Sequence, residues 1–166
     1  AEGDAWAGVV PPRQPANQMM RTIAEITLLP AFPATAYRKV STLLCALPDT
    51  ASKVDVNTLK PEQAALLAAM FPGKFTQDDA VRLLDKRPES GWENMDAFSK
   101  ALEQAFPQVK DDLPQVAGQL STQSRYFRVN YTGNTDALTL RVVSQLQVNN
   151  EAGEIVTWQR RYRMIE

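Results

Sequence analysis

The spacing of apolar residues changes once along the chain, just after Pro107. Before that point they recur every three or four residues, as on one face of a helix. Met20, Ile23 and Ile26 begin the series and Pro30 ends it. Pro33 and Ala34 open a second helix with Tyr37, Val40, Leu44 and Leu47 on one face, and Pro48-Asp49 stops it. A third carries Leu66, Leu67, Met70 and Phe71 and ends at Pro72-Gly73. Thr76 and Asp79 have the spacing of a capping box, with Asp where Glu or Gln is usual, ahead of Ala80, Val81, Leu83 and Leu84. Pro88 to Gly91 reads as a turn. Asn94 then caps a helix with Met95, Phe98, Leu102 and Phe106 inward.

Between the second and third helices lies Val54-Asp55-Val56-Asn57-Thr58-Leu59-Lys60-Pro61-Glu62, on which the rest is organised. Val54 and Val56 alternate with polar neighbours, as in a half-buried strand. Asn57 and Thr58 are expected to bond their own backbone and start a turn. Pro61 suits the first helical position, and Glu62 the positive end of the helix dipole.

Past Pro107, residues 110–118 read as a polar connector containing Pro114, and period-two alternation follows. Phe127, Val129 and Tyr131 face one way and Arg128 and Asn130 the other. Leu138, Leu140, Val142, Leu146 and Val148 alternate with Thr139, Arg141, Gln145 and Gln147. Residues 149–153 form a hairpin loop, and Val156, Trp158, Tyr162 and Met164 alternate in a last strand, with Arg161 and Arg163 opposite Trp158 and Tyr162. Helices followed by three antiparallel strands make an α+β arrangement. Three strands alone leave an apolar face without cover. The division is an extended acidic, Pro-rich loop at 1–18, a helical domain at 19–118 and C-terminal strands at 119–166.

A chain of 166 residues is long enough to bury about 70% of its unfolded surface. The net charge of −1 argues against a general nucleic-acid or membrane-surface binder. It divides mildly: residues 1–120 carry 12 Lys/Arg and 15 Asp/Glu, residues 121–166 carry 6 and 4. No stretch approaches the roughly 20 apolar residues of a membrane helix. The opening Ala-Glu-Gly-Asp, with no initiator Met or signal peptide, reads as a processed or truncated start.

Histidine is absent, which removes the commonest general base, and there is no G-x-S-x-G. Asp78 and Asp79 read as first-turn dipole partners and Asp111 and Asp112 as solvated connector residues, so catalysis finds no support. The segments 28–32 and 70–75 resemble helix-hairpin-helix turns, the alternative nucleic-acid reading. The first lacks both glycines of that motif, the second keeps only Gly73, and the only nearby base is Lys74. They read as packing turns. The one cysteine, Cys45, sits among Leu43, Leu44, Ala46 and Leu47 and reads as a small buried hydrophobe, or as half of a disulfide with a partner elsewhere. Glu2 and Asp4 offer hard oxygen ligands of the kind calcium prefers, though two carboxylates are too few for its shell of about 6–8 oxygens.

Pro11-Pro12-Arg13-Gln14-Pro15-Ala16-Asn17, Ala24-Glu25-Ile26, Leu44-Cys45-Ala46-Leu47-Pro48, Val54-Asp55-Val56-Asn57-Thr58, Ala80-Val81-Arg82-Leu83-Leu84 with Arg87, and Ser124-Arg125-Tyr126-Phe127 together resemble the protein K family of the type II secretion system. The Asn57-Thr58 turn is the most specific piece, and Asp55 replaces the family's usual Asn. The resemblance implies a minor pseudopilin: a SAM-like helical domain inserted in a pilin-type fold, whose long N-terminal helix would cover the open sheet face. It also implies a periplasmic domain of an inner-membrane-anchored protein, placed with minor pseudopilins I and J at the pseudopilus tip. There it would prime assembly and control pseudopilus length during export of folded proteins, with no nucleic acid, no enzymatic activity and no membrane contact by this part. Glu2 and Asp4 match the end of the family's calcium-binding segment, and Cys45 lies where members carry a cysteine paired to the pilin domain.

Overall fold

A computed structural model describes residues 17–29, 32–149 and 153–165. The chain divides into two compact units, Ala1–Ser52 and Lys53–Glu166. In the first, a 3-10 helix at Ile23–Leu28 is capped by Glu25, whose carboxylate accepts the backbone N–H groups of Arg21 and Thr22 at 2.9 and 2.8 Å. Helix α1 spans Ala34–Val40. It is shorter than the apolar spacing suggests, because Val40, Ser41 and Thr42 are weak helix formers and the chain leaves through a turn in which Leu43 and Leu44 both donate to the Val40 carbonyl. Leu44 and Leu47 therefore lie beyond the helix. Cys45 is exposed rather than buried, since no helix face carries it inward.

The second unit begins with β1, Val54–Asp55. A 3-10 turn at Pro61–Gln63 leads into α2, Ala64–Ala68, with Pro61 in the first turn as its missing N–H allows. Helix α3 spans Gln77–Asp85 and α4 spans Met95–Ala105. Both caps expected from the sequence are present. The Thr76 hydroxyl accepts from Asp79 N–H at 3.1 Å while the Asp79 carboxylate accepts from Thr76 N–H at 2.9 Å, and Asn94 Oδ1 accepts from Ala97 N–H at 2.9 Å. The stretch read as a polar connector is more structured than its composition suggests. It contains helix α5, Leu113–Val116, in which Leu113 and Val116 are buried. Pro114 lies in the first turn of α5, where proline is tolerated.

The core is a single cluster running from Val56 to Leu120. Phe71, Phe75 and Phe106 stack edge to face in series, with centroids 5.8 and 5.0 Å apart, and Trp92 meets Phe98 in the same way at 5.0 Å. Phe71 and Phe75 flank the Pro72-Gly73 turn, where Gly73 takes φ +78°, so this hairpin serves packing. Strand β2, Leu120–Ser121, pairs in parallel with β1. Strands β3 (Tyr126–Asn134), β4 (Thr139–Asn149) and β5 (Glu154–Ile165) then form an antiparallel sheet in that order. None of the buried hydrophobic residues of the core comes from this sheet.

Removing the α3 cap tests its contribution. Thr76→Ala should cost about 1 kcal/mol in denaturant unfolding. The hydrogen bonds from the Thr76 backbone and hydroxyl, helped by Arg82 and opposed by burial, hold the Asp79 carboxyl below the usual carboxylate range. A lowered folded-state value gives stability that is present above the ordinary value near 3.9 and lost as pH falls through the folded one. Unfolding measured between about pH 5 and pH 2 should therefore weaken more steeply in the wild type than in Asp79→Asn.

Candidate functional site

Two features of the second unit set up a surface for recognition: a clasp where the helical core hands the chain to the sheet, and a sheet whose apolar side is open. The clasp is built on the β1 turn. Asp55 Oδ1 accepts from Asn57 N–H at 2.9 Å, and the Asp55 carbonyl accepts the Thr58 hydroxyl at 3.0 Å, so Asp55 and Thr58 make the turn locally. The Asn57 side chain does not bond its own backbone as expected. Its amide donates to the carbonyls of Trp92 and Thr122 at 2.9 and 3.2 Å, and its oxygen accepts from Trp92 N–H at 2.8 Å. Three distant segments are thus tied by one short side chain. Arg87 Nη1 donates to the carbonyls of Val56 and Leu59 at 3.2 and 2.8 Å, and the Ser124 hydroxyl donates to Asp55 Oδ2 at 2.6 Å. Val56 N–H donates to the Ser121 carbonyl at 2.9 Å. The start of β3 is anchored to the core through these contacts.

Beyond the clasp the ladder register places Phe127, Val129 and Tyr131 of β3 beside Leu146, Ser144 and Val142 of β4, with Thr157, Arg160 and Tyr162 of β5 completing the rows. This face is mostly apolar and has no cover among the described residues: Phe127 is 46% exposed, Tyr131 59% and Tyr162 65%. Ser144 interrupts the apolar row, is buried, and accepts from Arg160 Nε at 3.0 Å. The simple alternation expected in β5 fails at one point. Gln145 pairs with Gln159 but Leu146 pairs with Thr157, leaving Trp158 without a ladder partner. This bulge shifts the phase by one residue. Val156 therefore shares a face with Arg161 and Arg163 rather than with Tyr162, and Ile155 takes the apolar side. The placement of Arg161 and Arg163 opposite Tyr162 holds; the Met164 side chain lies outside the described residues.

The remaining sequence-derived candidates fall as follows. Glu2 and Asp4 lie outside the described residues. Asp112 is ion-paired, to Lys74 Nζ at 2.8 Å, which also occupies the only base beside the Gly73 turn. Asp79 caps α3 and is bridged by Arg82. Among the described residues no group of three or more Cys, Asp or Glu side chains is gathered to hold a metal, and no helix is long and apolar enough to cross a membrane.

Comparison with known proteins decides what this arrangement belongs to. Two models described as type II secretion system protein K match, one over residues 1–49 and one over residues 54–123, and together they take in most of the chain. The chain belongs to the type II secretion system protein K family. The second match contains the clasp from β1 through Asn57, Arg87 and Trp92 to β2, and stops one residue short of Ser124. Type II secretion system protein K of Aeromonas hydrophila is 36% identical over 127 residues, covering 76% of this chain and 37% of that protein. A putative type II secretion system protein K of Escherichia coli K12 is 33% identical over 136 residues, covering 82% of this chain and 42% of that protein. This chain thus spans about two fifths of the length of these relatives. A chain in the crystal structure of the GspK-GspI-GspJ complex from the enterotoxigenic E. coli type 2 secretion system superposes with TM-score 0.79 at 26% identity, covering 98% of this chain and 55% of that one.

Proposed function

We propose that this chain is the helical domain and closing sheet of a minor pseudopilin, a docking subunit that acts by assembly and not by catalysis. The observation that carries this reading is the apolar side of β3–β5, left open where the sheet leaves a closed helical core. An apolar sheet face needs a partner. On this reading an N-terminal pilin helix supplies it, residues 119–166 complete a pilin-type domain, residues 19–118 are its SAM-like insertion and residues 1–18 are the loop leading in. The domain lies in the periplasm on an inner-membrane anchor and meets minor pseudopilins I and J at the pseudopilus tip, where it primes assembly and limits length. Family membership and the likeness to a chain of a GspK-GspI-GspJ complex support this.

The periplasmic part of the full-length protein, mixed at micromolar concentration with I and J of the same secretion system, should elute with them as one species. Separate elution of all three would overturn the reading. A helix-hairpin-helix nucleic-acid function has no observation in its favour, since Lys74 is paired and Asp78 and Asp79 follow it.

Glu2 and Asp4 are proposed as part of a calcium site whose remaining oxygens come from elsewhere in the longer protein. Calcium at about 100 times its Kd should then stabilise that protein by about 2.7 kcal/mol. The resulting rise in Tm should vanish in Glu2→Ala with Asp4→Ala. A wild-type melting curve that chelator leaves unchanged would remove calcium from the account.

A further inference from the structure

The sheet has a second face with a different chemistry. Three successive rows on that side read Arg128–Gln145–Gln159, Asn130–Val143–Arg161 and Thr132–Arg141–Arg163. Arg128, Arg141, Arg161 and Arg163 are all exposed, and among the described residues none of them has an ion-pair partner. Arg141 and Arg163 are direct cross-strand partners. Like charges placed opposite one another weaken a sheet, so this pairing works against stability.

Keeping strand edges soluble does not account for the pattern. That role needs no like-charge pair directly across two strands, and lysine fills it at least as well. Yet residues 121–166 contain six Arg and no Lys, whereas residues 1–120 contain seven Lys and five Arg. Of the four acids in 121–166, the two among the described residues stand apart from the rows: Asp136 lies between β3 and β4, and Glu154 opposes Asn149 at the end of the β4–β5 ladder. Arginine differs from lysine in its rigid fork, which grips both oxygens of a carboxylate, and in its weak hydration, which lowers the cost of covering it.

We propose that this face docks a carboxylate-rich protein surface, with Arg141, Arg161 and Arg163 at its centre and Arg128 at its flank. The occupant is argued from charge complementarity and from what else shares the face. Asn130 and Gln145 lie among the arginines and can bond a partner's polar groups. An anionic bilayer or a single-stranded nucleic acid would call for aromatic side chains beside the cations. The sheet's exposed aromatic rings, Phe127, Tyr131 and Tyr162, are on the other side, and Tyr126, which shares the arginine face, is half-buried and lies at the end of β3 away from Arg141 and Arg163. The inference goes beyond the pseudopilin reading and does not require I or J as the occupant.

The test uses the periplasmic part of the full-length protein with a fluorescent decaglutamate peptide as probe, read by anisotropy at low salt. Arg141→Gln with Arg161→Gln and Arg163→Gln should raise Kd at least tenfold. A charge-matched control, Lys60→Gln with Lys86→Gln and Lys100→Gln, should change it less than twofold. Replacing the same three arginines by lysine keeps both charge and fold and should still weaken binding several-fold, because the fork is lost. No binding by the wild type would overturn the proposal, as would equal losses in the Arg and Lys sets or undiminished binding in the lysine-substituted sheet. Arginine-dependent binding to phosphatidylglycerol vesicles that exceeds binding to the peptide would assign the face to lipid and overturn it too.

Discussion

Phe98→Ala should destabilise the second unit by about 3–5 kcal/mol, the range for truncating a buried aromatic side chain. Phe98 is fully buried on α4 and meets the Trp92 ring edge to face at 5.0 Å. The change removes its transfer energy and leaves a cavity beside an indole that cannot follow it. Domains of this size have only about 5–15 kcal/mol of stability in total. The loss should therefore appear as a fall in Tm of roughly 10–20 °C, with a shifted midpoint in denaturant. Tyr131→Ala is the matched control. Tyr131 is 59% exposed on the open sheet, and its removal should change stability by no more than about 0.5 kcal/mol. If the two substitutions cost the same, the stability of this unit would not reside in the helical cluster.

The helical cluster was legible because its signals are local. Thr76 with Asp79, and Asn94 with Ala97, are contacts three residues apart, so side-chain chemistry alone places those caps. Pro61 is likewise fixed by its own backbone needs. The apolar residues expected inward on α3 and α4 include Ala80, Leu83, Leu84, Phe98 and Leu102, all of them buried. The open apolar face followed from counting strands, and the structure has it.

What stayed hidden depends on contacts far apart in sequence or on very short elements. Helix α5 has four residues, too few to display a period, and buries only Leu113 and Val116. The bulge at Trp158 is a property of two strands in register, which neither strand announces by itself. Cys45 would face inward only on a helix running through to Leu47, and α1 ends at Val40. The role of Asn57 was misplaced for the same reason: an asparagine after a short strand predicts a local turn, whereas its partners lie 35 and 65 residues away. The one signal pointing that way was Gly91, a glycine whose necessity comes from a side chain it does not neighbour in sequence.

Gly91→Ala should be far more damaging than Gly73→Ala, although both glycines adopt φ +78°. An alanine forced into the left-handed region costs about 1–2 kcal/mol at either position. At Gly73 the new methyl meets open space, so that is the whole effect. At Gly91 it would stand 2.8 Å from Asn57 Cγ and 2.9 Å from Oδ1, closer than real contacts allow. The amide must move, and its hydrogen bonds to Trp92 and Thr122 go with it. Leaving part-buried backbone groups unpaired adds about 1–3 kcal/mol, for a total of about 2–5 kcal/mol at Gly91. Asn57→Ala removes the same bonds directly, so the two changes should not add. In an Asn57→Ala background, Gly91→Ala should cost no more than Gly73→Ala does in the wild type. Full additivity in this double-mutant cycle would mean that the close approach of Gly91 to Asn57 does not hold the clasp, and that the start of the sheet is fixed by the β1–β2 pairing and Arg87 alone.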